Sequence, residues 1–146
     1  MSEFMPGRQP RRELRSTSED EWPAEVRSDF AVNANNGRVA GELLFENERV
    51  RVWSIRLQPG ERYVAHRHVL DYFWTTVSAG TSLQHSMGGK AELVHYEVGD
   101  TMFFSYGEGD SMLHDLGNAG TTELAFTTVE LKESANAPLP INSGGE

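Results

Sequence analysis

The sequence contains no cysteine among its 146 residues. This absence excludes disulfide bonds, thiolate nucleophiles, and zinc or iron–sulfur sites built on cysteine. Long apolar runs are also missing: no stretch approaches the roughly 20 residues that a membrane-spanning helix needs, and no apolar leader opens the chain. We therefore expect a cytoplasmic protein with no membrane partner.

Positive charge is scarce, with 13 Lys and Arg against 22 Asp and Glu and a formal net charge of −9. A negative surface repels phosphate backbones, so we do not expect a nucleic-acid partner. The exception is a group of four arginines close to the N-terminus: Arg8, Arg11, Arg12 and Arg15. We expect these arginines to lie in a solvated flexible tail, and a functional arm is the alternative.

Apolar side chains are few at both ends of the chain, and they make up 38% of the whole. Such ends cannot bury enough apolar surface to offset the entropy lost on ordering. The composition therefore predicts a flexible N-terminal segment over 1–25, one folded domain over 26–134 and a flexible C-terminal tail over 135–146. The length also suits one domain rather than two.

Between the ends, apolar residues alternate with a period of two residues, notably in 50–57, 93–98 and 124–129. Turn signals rich in Gly, Pro and Asn separate these runs at intervals of roughly 8–12 residues. This pattern predicts an all-β domain of antiparallel strands, either a sandwich or a barrel. Only the segment 18–28 favours a helix, with Ser18 as the N-cap and Pro23 limiting its length.

Chemistry is easiest to argue for the histidines. His66 and His68 are two residues apart, so on a strand both side chains point to the same face. Two neutral imidazoles that converge suit a first-row divalent metal. The pair alone is also compatible with ordinary surface or core histidines. The residues around it are needed to distinguish these alternatives from a metal site.

Those surroundings resemble the two motifs of the cupin (RmlC-like) superfamily over roughly residues 45–132. The residues that match the motifs in type and order are Gly60, His66, His68 and Gly80 in the first, and Gly99, Gly107, His114 and Asn118 in the second. The resemblance implies a single-domain, jelly-roll β-barrel. It also implies that His66, His68 and His114 hold one divalent metal.

The sequence departs from the family pattern in two places. Phe73 stands where the family has its glutamate ligand, with Tyr72 just before it. Asp71 is a candidate substitute carboxylate, and a role in a turn is the alternative. In the second motif Ser105 replaces a proline, and the loop before His114 is longer by about four residues. We expect the longer loop to reshape the mouth of the pocket.

A ligand set of three histidines leaves coordination positions open and keeps the metal electrophilic. Three-histidine cupins include iron dioxygenases, so the resemblance implies a dioxygenase-like enzyme that acts on a small organic acid or ketone. Iron(II) is the first choice, and nickel, manganese and zinc stay open. One alternative is a non-catalytic metal-binding or ligand-binding cupin, such as a sensor or an accessory protein. A barrel that has lost its metal and serves a structural role is the other.

A narrower resemblance rests on three segments: 47–52, His66-Arg67-His68 followed by Asp71-Tyr72, and 129–132. They are similar to small bacterial cupins associated with β-alanine degradation, which also have Asp-Tyr where other cupins have the glutamate. By analogy with such barrels we expect a homodimer, with a small-molecule substrate or ligand as the other partner.

The remaining candidates have two interpretations each. Tyr72, Asp71 and Tyr106 are candidate catalytic residues, and Tyr63 is a weaker one, although packing explains tyrosines equally well. Two alternatives remain open for a further five residues: a structural or solvated position, or a role in the pocket. These residues are His85, His95, Arg51, Arg56 and Arg62. Core or subunit-interface positions are predicted for Trp53, Phe73, Trp74, Phe103, Phe104 and Phe126.

Overall fold

The computed structural model describes residues 8–141, so the predictions for 1–7 and 142–146 lie outside it. The prediction of an all-β domain is confirmed. The elements are β1 (Arg11–Ser16), a 3₁₀ helix (Glu19–Glu21), α1 (Ala24–Val32), β2 (Glu42–Glu46), β3 (Val50–Leu57), β4 (Arg62–His68), β5 (Asp71–Ser78), β6 (Gly80–Ser86), β7 (Lys90–Tyr96), β8 (Thr101–Phe104), β9 (Met112–Asn118) and β10 (Leu124–Leu131). Within the described range, no helix is long and apolar enough to cross a membrane.

The strands form two five-stranded antiparallel sheets. Sheet A has the order β1-β7-β6-β9-β4, and sheet B has the order β2-β3-β10-β5-β8. The expected closed barrel is instead a jelly-roll sandwich, because main-chain pairing stops at the edges of each sheet. Side-chain packing between the two inner faces holds the sheets together.

The core between the sheets follows the predicted alternation. Trp53, Ile55 and Leu57 of β3 point inward, and Trp53 is completely buried. Leu124 and Phe126 of β10 join them in one cluster with side chains from sheet A. The inner face of sheet A therefore packs against apolar side chains of sheet B. Polar side chains on that inner face are buried as a result.

The outer face of sheet A is covered by α1 and the 3₁₀ helix. Trp22, Val26 and Phe30 pack there against Ala65 and Leu113. The helix predicted over 18–28 was placed too early: Ser18 caps the 3₁₀ helix, and α1 begins after Pro23. Proline is tolerated at a helix start because its missing N–H has no partner there in any case.

Part of the segment 1–25, which was predicted to be flexible, forms a strand in the structure. Within it, β1 pairs with β7, and cross-strand polar contacts support the pairing. Arg12 Nη1 lies 3.0 Å from Glu92 Oε1, and His95 Nε2 lies 2.7 Å from Glu13 Oε2. A count of apolar residues does not detect this strand, because opposite charges on facing strands stabilise it.

Candidate metal centre

The structure brings the three predicted histidines together on the inner face of sheet A. β4 and β9 are paired so that His66 lies opposite His114, and His68 follows two residues later. One ring nitrogen from each histidine lies within 4.8 Å of the others. His68 Nε2 and His114 Nε2 are 3.0 Å apart.

An irregularity in β4 orients His66. The pairing register between β4 and β9 shifts between Tyr63 and His66, and such bulges commonly redirect side chains. The backbone N–H of Ala65, within the bulge, donates to Asp29 Oδ2 at 2.8 Å. His66 Nδ1 lies 2.9 Å from the carbonyl oxygen of Val64. When Nδ1 donates this bond, Nε2 keeps its lone pair for a ligand.

Burial keeps the three imidazoles neutral. It lowers the pKa of His66 to about 4. Burial, together with the neighbouring histidines, also lowers the pKa of His68 and of His114 well below the ordinary value. At neutral pH each ring therefore has a free lone pair, which is the form that binds a metal.

The donor set fits a divalent transition metal. His68 Nδ1 is buried without a hydrogen-bond partner among the described residues, although buried polar atoms usually have one. The cluster found in residues 8–141 contains nitrogen donors and no carboxylate. Nitrogen donors suit iron, nickel, manganese or zinc better than calcium or magnesium, which prefer oxygen.

Tyr72, rather than Phe73, occupies the place beside the histidines. The Tyr72 ring stacks on His68 with centroids 3.9 Å apart and planes inclined by 8°. Phe73 points to the opposite face of β5 and stacks with Phe103 at 6.4 Å. Adjacent residues of a strand face opposite ways, so a shift of one residue in the motif assignment exchanges the inward side chain.

The other predicted substitute, Asp71, is not part of the histidine cluster. Its carboxylate Oδ1 accepts a hydrogen bond from the backbone N–H of Tyr106 at 3.0 Å. Its own backbone N–H donates to Ser134 Oγ at 2.9 Å. Asp71 therefore ties the start of β5 to two neighbouring segments, which agrees with the turn alternative.

Two tyrosines stand next to the centre as hydrogen-bond donors. Burial raises the pKa of Tyr72 well above 10, and it raises the pKa of Tyr106 to about 12. The two rings are nearly parallel, with centroids 6.3 Å apart. Both hydroxyls keep their protons at neutral pH, so neither can act as a base. Tyr63 packs against His66 with ring centroids 5.3 Å apart, and its hydroxyl donates to the carbonyl oxygen of Ala40 at 2.8 Å.

Two adjoining spaces lie beside the histidines. The inner cavity has a volume of about 40 Å³, room for a few water molecules. Its walls beside the histidines are Val39, Ile55, Tyr72, Trp74, Gln84, Tyr96, Leu116, Phe126 and Thr128. The outer chamber is larger, about 320 Å³, and shares Tyr72, Trp74, Gln84 and His114 with the inner cavity. A small molecule in the outer chamber therefore lies next to His114.

The other two histidines lie outside the centre. His85 Nδ1 is 2.8 Å from Asp115 Oδ2, on the outer face of sheet A. His95 is held by Glu13 and by the hydroxyl of Thr81.

The arginines named as candidate carboxylate binders are paired with acidic residues of the chain. Arg62 binds Asp115 and Asp29, Arg51 binds Glu46, and Arg56 binds Glu123. Each therefore agrees with the structural alternative.

Among the polar residues that line the outer chamber, Gln84 was not a candidate from the sequence, and Arg12 was expected in a solvated tail with a functional arm as the alternative. Gln84 shares a strand face with Ser82 and Ser86, so the alternation along β6 could have placed it once the pairing of Ser86 with His114 was known. Arg12 has no comparable signal. Its position depends on a strand pairing that joins residues about eighty positions apart.

Comparisons with known proteins were made for sequence and structure. No protein-family model matches the sequence, and no curated protein matches it. A cupin-domain protein from Bordetella pertussis matches in structure with a TM-score of 0.53 at 20% identity, over 88% of this chain and 99% of that one. The chain has the cupin fold.

Two further structures agree. A protein with a double-stranded β-helix domain from Klebsiella pneumoniae has a TM-score of 0.51 at 23% identity, over 66% of this chain and 82% of that one. An RmlC-like cupin from Methanocaldococcus jannaschii has a TM-score of 0.51 at 18% identity, over 62% and 76%. At these identities the likeness establishes the fold, while function has to be argued from the site.

Proposed function

We propose that this cupin is a metal-dependent, dioxygenase-like enzyme that acts on a small organic acid or ketone. Its metal ligands are His66, His68 and His114. The observation that carries the proposal is a set of three neutral imidazoles, without a carboxylate, between a small inner cavity and a larger chamber. Such a set does not cancel the charge of the metal, and it leaves positions for a substrate.

The metal would supply a Lewis acid that polarises a bound oxygen, and a redox-active ion would also permit chemistry with O₂. The chain supplies the positioning. The protonated hydroxyl of Tyr72 can donate to an oxygen of the substrate, and the amide of Gln84 faces the same space. Trp74 and Phe126 give the inner cavity an apolar wall.

Iron(II) is the metal we propose first, and nickel, manganese and zinc accept the same nitrogen donors. The resemblance to cupins associated with β-alanine degradation adds short amino and oxo acids to the substrates worth testing. Diketones and thiols complete the panel because three-histidine iron cupins act on them.

A non-catalytic binding protein is the second candidate, and one observation favours it. No described residue that lines the inner cavity carries a carboxylate, and the tyrosines there hold their protons. The described part of the chain therefore places no carboxylate or tyrosinate beside the histidines to act as a general base. A protein that only binds a metal-chelating ligand has no need of one.

Elemental analysis of the purified protein tests the metal site. We expect about one transition-metal ion per chain after anaerobic loading with iron(II), and a near-complete loss in His114→Ala. His95→Ala is the matched control, because His95 is bonded to Glu13 outside the site. Equal metal content in all three proteins would remove the basis of the proposal.

Oxygen uptake separates the enzyme from the binding protein. Iron-loaded protein is mixed with each acid, diketone and thiol of the panel, and O₂ consumption is followed. An enzyme consumes O₂ with at least one compound, and His66→Ala abolishes the rate. A full complement of iron without uptake for any compound favours the binding protein.

The homodimer expected from the sequence stays a prediction. Phe45 on edge strand β2 and Phe103 on edge strand β8 are 55% and 57% exposed, and a dimer would be expected to cover at least one of them. Light scattering on the eluting protein measures the mass, and a monomer at all concentrations would contradict the prediction.

A further inference from the structure

The outer chamber is positively charged in an otherwise acidic protein. Its charged lining residues are Arg12, Lys90 and Glu92, which leave one positive charge, whereas the whole chain carries −9. The remaining walls are largely apolar or aromatic: Tyr72, Trp74, Met102, Phe104, Tyr106 and Met112. A chamber of this kind is complementary to an organic anion with an apolar body.

Arg12 has donors to spare at this chamber. Its Nη1 donates to Glu92 at 3.0 Å, and its Nη2 faces the sulfur of Met102 at 3.2 Å, a weak acceptor. A guanidinium has five N–H donors, so the others remain for a ligand. The Arg12 side chain is 31% exposed, which lets a ligand approach it.

Glu92 positions the two cations rather than neutralising both. Its two carboxylate oxygens face Arg12 at 3.0 Å and Lys90 Nζ at 3.7 Å. The single Glu92 carboxylate holds both cations beside the chamber and neutralises only one of their two positive charges. The remaining positive charge can attract the carboxylate of a ligand. A planar guanidinium matches such a group through paired hydrogen bonds.

The strand pairing puts this cationic group and the histidines at opposite ends of one space. On the inner face of sheet A, His114 lies opposite Ser86 on β6, and Gln84 lies opposite Glu92 on β7. β1, with Arg12, is the next strand beyond β7. Three strand spacings separate β9 from β1, so their backbones are about 14 Å apart. The distance between the His114 and Arg12 side chains is shorter, because both extend into the space between the strands.

We propose that Arg12, assisted by Lys90, binds the carboxylate of an elongated organic anion whose other end reaches the histidine centre. The inference rests on the proposed function for the same site and narrows its substrate class. The apolar body of the anion lies along Met102, Phe104 and Met112. Arg12 is therefore a specificity-determining residue, supplied by the N-terminal strand.

Calorimetric titration with straight-chain carboxylates tests this assignment, with hexanoate and hexanamide as the matched pair. We expect hexanoate to bind more tightly than hexanamide, and affinity to increase from acetate to hexanoate. Arg12→Gln should weaken hexanoate about tenfold or more, the usual loss for a hydrogen-bonded charge, and leave hexanamide unchanged. Lys90→Gln should weaken hexanoate by less.

Arg11→Gln is the matched control. Arg11 is adjacent on β1 and also pairs with a glutamate, Glu13, but it does not line the outer chamber. Unchanged hexanoate affinity in Arg12→Gln, or an equal loss in Arg11→Gln, would overturn the assignment. An equal loss of hexanamide binding would point to altered packing and would overturn it too.

Titrations of metal-loaded and metal-free protein keep this inference distinct from the proposed function. Arg12-dependent binding of hexanoate in a protein that takes up no metal supports the role of Arg12 and contradicts the metal proposal. Normal metal content in Arg12→Gln, together with unaltered hexanoate affinity, contradicts the role of Arg12 and leaves the metal proposal intact.

Discussion

The two faces of sheet A carry two polar clusters that differ in how completely their atoms are bonded. His114 and Asp115 are neighbours on β9 and point to opposite faces. On the outer face, Asp115 accepts from the backbone N–H of His85 at 2.6 Å, from His85 Nδ1 at 2.8 Å and from Arg62 Nε at 2.8 Å. On the inner face, His68 Nδ1 has no partner among the described residues.

This difference separates a structural cluster from a binding site. A buried polar network whose members are bonded to one another fixes one conformation and needs no ligand. A buried group of neutral imidazoles whose nitrogens face each other is incomplete until a ligand arrives. The clusters are also connected, because Asp29 binds both Arg62 and the bulge that orients His66. The outer network therefore supports the inner one.

Breaking the outer network should have the largest effect on stability. Asp115→Ala leaves the backbone N–H and Nδ1 of His85 without their acceptor and removes one of the two carboxylates that bind Arg62. We expect this to cost about 3 kcal/mol of unfolding free energy or more. Urea unfolding of the metal-free protein measures it. The control is Glu123→Ala, which removes an exposed ion pair with Arg56 and should cost less than about 1 kcal/mol. Equal losses would contradict the distinction drawn between the clusters.

Acidification should act on the inner cluster, with a smaller effect. The folded protein holds His66, His68 and His114 at lowered pKa values, so the unfolded chain binds their protons more readily below about pH 6.5. Their contribution to stability is present above that pH and is lost as the pH falls. For the three together we expect a loss of about 2 kcal/mol between pH 7 and pH 6 in metal-free protein.

Glu130 opposes this change, so the measurement needs a variant. Burial raises the pKa of Glu130 to about 7, and stability from that group therefore increases as the pH falls toward 6. In Glu130→Gln the histidine effect stands alone, while the Trp53 indole, 2.8 Å from Glu130 Oε1, keeps an acceptor. Urea unfolding at both pH values checks the prediction. A smaller loss in Glu130→Gln than in the unmodified protein would contradict it.

The smallest effect is expected from Tyr72→Phe. Phenylalanine keeps the stack on His68 and removes only the hydroxyl, so the unfolding free energy should change by less than about 1 kcal/mol. Metal content should stay the same, and any turnover should decrease because a hydrogen-bond donor is lost. Loss of metal from this variant would show that the hydroxyl is itself a ligand.

The strands and the histidine pair could be predicted from the sequence because both depend on local periodicity. Alternation in 50–57 gave the correct inward face of β3, and the spacing of His66 and His68 gave their common face. His114 came from the resemblance to the cupin motifs, since nothing local connects it to the other two. Its position opposite His66 depends on the pairing of β4 with β9.

The parts that were wrong or missed depend on register and on distant pairing. The motif count placed Phe73 at the position of the ligand, whereas the register of β5 turns Tyr72 inward. β1 was expected to be flexible because few of its side chains are apolar, but Arg12 and Glu13 pair with residues of β7. Neither register nor such pairs can be read from a single sequence.

Titration of metal-free protein with cobalt(II), followed by visible absorption, tests the central contrast most directly. The unmodified protein and His85→Gln should each bind one cobalt ion per chain, because His85 belongs to the outer network, whereas His68→Ala should bind none. Circular dichroism checks that each variant is folded. Cobalt binding that survives in folded His68→Ala, or no binding by the unmodified protein, would contradict the account.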